Sequence, residues 1–181
     1  MPQTNIDQIQ KHTPLAIGLT VVSALARLLP HPPNFTPVGS ASLFAGARIP
    51  GLWAYLIPIV VMAITDPLVG GYSAATPVIY ASFLISVWIG RRLAVTESPI
   101  RIGGAAFLCS LQFFLLTNCN FWYSSSMYPH SFAGLMASYT AALPFFGRTL
   151  AGDLFFTAVL FGLHAILRRQ LDARISTAAA H

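Results

Sequence analysis

Residues 150–169 read Leu150-Ala-Gly-Asp153-Leu-Phe-Phe-Thr-Ala-Val-Leu160-Phe-Gly-Leu-His164-Ala-Ile-Leu167-Arg168-Arg169. The run before the arginine pair carries a single formal charge, Asp153. Over 18 residues at about 1.5 Å each it extends about 27 Å as a helix, close to the roughly 30 Å hydrocarbon core of a bilayer. An apolar run of this length closed by cations is the pattern of a helix that crosses a membrane.

Five further runs repeat the pattern, at residues 15–29, 38–47, 52–64, 77–90 and 102–117. The first is opened by Thr13-Pro14, a capping residue and a proline that gives up no needed amide. It is stopped by four prolines within residues 30–37, an ordered extended loop. The second run is short and rich in Gly, Ala and Ser, which predicts a short or tilted helix held against protein. Residues 118–130 gather amide, hydroxyl and aromatic groups and read as a loop, and residues 132–143 as a short extra helix. The expected fold is an all-α membrane protein of six transmembrane helices plus a short interfacial or re-entrant helix. Residues 1–12 form an N-terminal cytoplasmic segment, 13–170 one transmembrane domain and 171–181 a cytoplasmic tail.

Composition agrees with that solvent. Of the 181 residues, 55% are hydrophobic and 8% charged, against roughly 25% charged in an ordinary soluble domain. The net charge of +5 does not indicate nucleic acid, because the basic residues stand singly or in pairs at the ends of apolar runs. If six runs alternate, Lys11, Arg48, Arg91, Arg92, Arg101, Arg168, Arg169 and Arg174 share one side, and Arg27 and Arg148 the other. That asymmetry predicts cytoplasmic termini and a multi-pass protein of a bacterial inner membrane.

The polar loops after the first, third and fifth runs then share the outer face and suggest a small-molecule pocket. Its candidate ligand contacts are Asn34, Phe35, Asp66, Tyr72, Asn118, Asn120, Trp122, Tyr123 and Tyr128. Asp66 either meets a ligand or serves as an N-cap or a structural pair for Arg27, and Asp153 either answers the helix dipole and Arg148, the favoured structural use, or contacts a ligand directly. The aromatic cluster either binds a ring-containing solute or anchors at the headgroup level. Ala16, Thr20 and Ala24, four residues apart, mark a narrow face that either docks a partner helix or packs internally. His31, His130 and Cys119 lack any short metal-ligand spacing, no cofactor is implied, and Cys109 and Cys119 are too few for a disulfide framework. Nucleophile-elbow and phosphate-loop motifs are absent, which favours binding over catalysis. A structural scaffold is the alternative, and an enzyme would need Asp66, Asp153, His31 and His130 to converge.

The segment Arg27-Leu-Leu-Pro-His-Pro-Pro-Asn-Phe-Thr-Pro-Val-Gly39, the Thr65-Asp66-Pro67 turn with Gly71-Tyr72, Thr117-Asn118 through Trp122, and Tyr139 through Asp153 resemble an uncharacterised family of small bacterial membrane proteins. More distantly the chain is similar to the substrate-binding S component of energy-coupling factor (ECF) vitamin transporters. That resemblance implies an outward pocket for a vitamin-like micronutrient, closed by the loops after helices one, three and five. It also implies docking of the small-residue face of helix one on a transmembrane coupling subunit with cytoplasmic ATPases, or action alone as in some relatives. A cobalamin branch uses a cysteine; here Cys119 is the outer-side candidate, and thiamin-, flavin- and base-like solutes stand beside cobalamin.

Overall fold

The computed structural model describes residues 11–94 and 96–178. Among them the regular structure is entirely helical: α1 (Thr13–Leu25) with a 3-10 turn (Ala26–Leu28), α2 (Val38–Arg48), α3 (Trp53–Val69), α4 (Thr76–Arg91), α5 (Pro99–Ser124) and α6 (Phe132–Ala178). Prolines sit in the first turns of α1, α4 and α5, where a missing amide breaks no helical bond.

The short α2 is the centre of the molecule and packs against all five other helices. Its residues from Ser40 to Ala47 are buried, and their small size is what lets so many neighbours in. The approach to α4 is backbone to backbone: a Cβ on Gly46 would lie 2.0 Å from the Val87 carbonyl oxygen, and one on Gly90 2.1 Å from that of Leu43. Phe44 fills the other side, edge-on to Phe161 with ring centroids 5.2 Å apart. The stripe of α1 formed by Ala16, Thr20 and Ala24, spaced four residues apart, is fully buried. Both alanines belong to the same apolar cluster as α2, so the chain uses that face for its own packing and offers no docking surface there.

The crossing count predicted from the sequence is corrected by helix length. Among the described residues two helices are long and apolar enough to cross a membrane, Pro99–Ser124 and Phe132–Thr177. The others fall short at about 1.5 Å per residue, since α2 has 11 residues, α3 17 and α4 16, and α1 with its 3-10 turn ends at Leu28. The six-transmembrane arrangement does not stand, nor does the multi-pass inner-membrane localisation that rested on it. The apolar helical character itself remains. Only 28% and 33% of the two apolar windows are buried within the chain, and Leu52, Ile64, Ile100 and Phe132 are each at least 65% exposed. Apolar surface on that scale marks a membrane or protein contact.

Two segmentations also change. Residues 132–143 and 150–167 are parts of one helix, with Pro144 inside it, and this helix runs to Ala178 through most of the expected tail. Residues 118–124, read as loop, are the last turns of α5. Asn118 bonds the carbonyl of Phe114 at 2.8 Å and Ser124 that of Asn120 at 2.7 Å, each one turn back, as Thr117 just before them bonds that of Phe113 at 2.7 Å. Satisfied that way, they do not compete with the helix.

At the Arg48 end, Arg48 donates to the carbonyls of Leu93 and Thr96 and lies 4.9 Å over the Phe161 ring. Nearby, Glu97 pairs with Arg168. The hydrogen bond from Arg168, then its charge, hold Glu97 below the usual carboxylate range. A depressed folded value means the pair stabilises above the unfolded pKa of about 4.3 and is lost as pH falls through the folded value. Glu97 is 54% exposed, so Glu97→Gln is expected to cost under about 1 kcal/mol at pH 7, and less as the pH falls through the depressed folded value, as read by thermal unfolding.

Candidate functional site

Three adjoining cavities of about 220, 170 and 320 Å³ occupy the opposite end, where α1 ends and α2 begins. Thr36 and Phe83 line both the first and the second, while Asn34, Phe113 and Thr149 line both the second and the third. The proline-rich loop therefore lies at the junction, and its Asn34 adopts φ 63°, a left-handed conformation that Asn tolerates.

The first cavity holds an internally compensated charge. Asp66, near the end of α3, accepts from Arg27 at 2.7 Å and from the Tyr80 hydroxyl at 2.6 Å. Arg27 also reaches the Thr65 hydroxyl at 3.3 Å. Burial first, and then the bond to Asp66, push the Tyr80 hydroxyl above its ordinary pKa, so it remains a donor. Each oxygen of the Asp66 carboxylate thus has one donor within the fold.

The second cavity is different. Asp153, 5% exposed, lines it together with Ser86, Cys109 and Phe113. Its carboxyl accepts from Ser110 at 2.6 Å and, weakly, from Ser40 at 3.5 Å, while Ser40 also donates to the Asp153 carbonyl at 2.9 Å. No cation pairs with it among the described residues. The carboxyl is seated against α2, because a Cβ on Gly39 would come within 2.4 Å of its Oδ1. Because α6 is continuous, Asp153 lies in mid-helix and not at the helix start expected for it. Neither the dipole nor Arg148 compensates it; two serine hydroxyls do. Across the wall, Gln112 ties α5 to α4 by donating to the Ser82 carbonyl at 3.0 Å and the Ser86 hydroxyl at 3.1 Å.

Of the nine ligand contacts expected from the sequence, Asn34, Asp66 and Asn118 line these cavities, as do two of the residues expected to pair, Arg27 and Asp153. The rest lie elsewhere. Phe35 packs on Phe155 and Phe156 and pins the proline loop to α6. Tyr72 donates to the Ala63 carbonyl at 2.6 Å. Trp122 donates to the Pro129 carbonyl at 2.9 Å, and His130 stacks on Tyr123, so this cluster ties the turn between α5 and α6. Asn120 and Tyr128 are half-buried outside the cavity walls. His31 bonds the Arg27 and Pro32 carbonyls, and no group of metal-ligating residues forms among the described residues. Asp66, Asp153, His31 and His130 thus each have separate partners. The sequence reading missed Ser40, Ser110, Thr36 and Thr149. Serine at mid-run in otherwise apolar helices, as at Ser40 and Ser110, was the available signal.

Residues 7–176 match the model of a family of unknown function, DUF6580. No curated protein and no solved structure matches the chain.

Proposed function

The chain belongs to this family of unknown function, and from that premise we propose that it captures a small organic micronutrient, vitamin-like, in the cleft between the α1–α2 loop, α4, α5 and α6. The observation that carries this reading is Asp153: a buried carboxyl on a cavity wall, held by serines and left without a cation among the described residues. Burying an isolated carboxylate is costly, and an incoming protonated or donor nitrogen would offset that cost. The adjoining walls of Phe83 and Phe113, stacked with centroids 5.4 Å apart, offer flat apolar surface to a ring. A basic heterocycle of the thiamin- or base-like kind satisfies both demands better than a flavin. Uptake would follow from binding and loop closure, either with an energising ECF-type partner or alone, and any such partner would dock on a face other than Ala16, Thr20 and Ala24.

Native mass spectrometry of the gently purified chain, alone and with a panel of cationic heterocycles, tests the proposal. The wild type is expected to retain one such compound. Asp153→Asn keeps the shape and an accepting oxygen for Ser110, and is expected to weaken retention by about 100-fold, the scale for truncating one partner of a buried charge pair. Asn118→Ala is expected to weaken it only a few-fold, because the Asn118 amide nitrogen is turned back to Phe114. Equal retention by wild type and Asp153→Asn would remove the proposal, and an empty chain across the whole panel would favour a scaffold.

A further inference from the structure

A second cavity system lies at the other end and is larger than any of the three above. It is a groove of about 510 Å³ between the first turns of α5 and the middle of α6. Its walls are apolar for most of their length, with Ile102 on α5 facing Leu154, Phe161 and Ala165 on α6. Leu154 and Gly162 are exposed, so the groove opens along its side. At its basic end stand Arg48 and Arg169, with the buried His164 beside them. Glu97 is the acid at this end; Arg168 is its ion-pair partner, and Arg169 and Arg48 also lie within its field, so three cations face one acid. Arg169 has no ion-pair partner among the described residues. The first turn of α5 begins here without a side-chain cap and adds its positive end to the same field.

Thr157, toward the far end of the groove from Arg169, lies twelve residues from it on α6, about 18 Å along the axis. The groove therefore has cations at one end and hydrocarbon-like walls over the length of a lipid's glycerol-ester and upper acyl region.

We infer that this groove holds an anionic phospholipid, its phosphate at Arg169 and Arg48 and its glycerol-ester and acyl portion along Ile102, Phe161 and Thr157. Free phosphate would meet the same cations but would gain nothing from a long apolar trench. A neutral lipid would fill the trench and leave Arg169 without its counter-charge.

The test uses the full chain in neutral detergent, with phosphatidylglycerol, phosphatidylcholine or inorganic phosphate added, read by retention in native mass spectrometry and by thermal unfolding. Phosphatidylglycerol is expected to be retained and to raise the melting temperature, and the other two are not. Arg169→Gln lies at an exposed position that the fold does not need, and should weaken phosphatidylglycerol retention about tenfold, the scale of one charge-assisted contact. Gly162→Leu fills the groove from a position with nothing within 4 Å of its Cβ, and should abolish retention while the chain still folds. Equal retention of phosphatidylcholine, equal stabilisation by inorganic phosphate, or variants that bind like the wild type would each overturn the inference.

Discussion

Alanine at Gly46 or Gly90 is expected to lower the melting temperature by about 6 °C or more, the shift that roughly 2–3 kcal/mol produces in a chain of this size. The added methyl would meet carbonyl oxygens 2.0 and 2.1 Å away, and those oxygens belong to helix backbone. A side chain can rotate out of such a clash; a backbone cannot. Helices α2 and α4 would have to separate by an ångström or more, which loosens the packing around Phe44 and Val87, both fully buried. Opposing this is the intrinsic helix preference for alanine over glycine, about 1 kcal/mol, so a net loss of about 2 kcal/mol or more means the clash has won. Gly18→Ala and Gly162→Ala supply the contrast, since nothing lies within 4 Å of either Cβ, and both are expected to be neutral or slightly stabilising. The double variant of Gly46 and Gly90 should cost less than the sum of the singles, because the first substitution has already moved the helices apart. Thermal unfolding of the four single variants in one detergent decides it, and a Gly46→Ala protein that melts with the wild type would sink the backbone contact.

These glycines also show where the sequence was readable. A short run rich in Gly, Ala and Ser could be recognised as a helix held against protein, because nothing else explains apolar periodicity with so little side-chain volume; α2 is that helix. What could not be read was how many neighbours it serves, since close approach depends on which glycine faces which carbonyl. Helix ends were less legible. Pro144 and the polar residues 118–124 carry strong local signals for a break, yet α5 and α6 continue through them. In α5 the side chains of Thr117, Asn118 and Ser124 take up the carbonyls one turn back, a contact that composition alone does not reveal. The crossing count failed for a related reason. Apolar runs of suitable character were counted as spans, whereas α2, α3 and α4 are too short for that.

The candidate site divides along the same line. Asn34, Asp66 and Asn118 could be picked out because polar groups beside apolar runs are conspicuous. Trp122 and Tyr123 are equally conspicuous, but their partners are Pro129 and His130 within one turn. Asp153 was read as helix-start chemistry because a break at Pro144 would have placed it there. With α6 unbroken, the same residue becomes an interior acid facing Ser40 and Ser110, and the sequence has no local mark of that pairing across 113 and 43 positions.

Arg27→Met is expected to destabilise the chain by about 3–5 kcal/mol, the penalty for leaving a buried charge without its partner. Asp66 is 9% exposed at its side chain and would retain only the Tyr80 hydroxyl of its present donors. Asp66→Leu alone should also be costly, since Arg27 is 16% exposed and would keep little beyond the Thr65 hydroxyl. The combined Arg27→Met and Asp66→Leu variant should recover much of the loss, because an apolar pair of similar volume removes both desolvation costs together. A coupling energy of at least about 2 kcal/mol in this cycle, measured by thermal or denaturant unfolding, separates a buried pair from a hydrated one. A loss under about 1 kcal/mol for Arg27→Met would mean that water reaches Asp66 and that its charge is free for other use. The comparison with Asp153 gives this cycle its functional meaning. Where an acid already has its cation inside the fold, removing the cation should be read in stability; where an acid has only serines, removing its charge should be read in what the cleft retains.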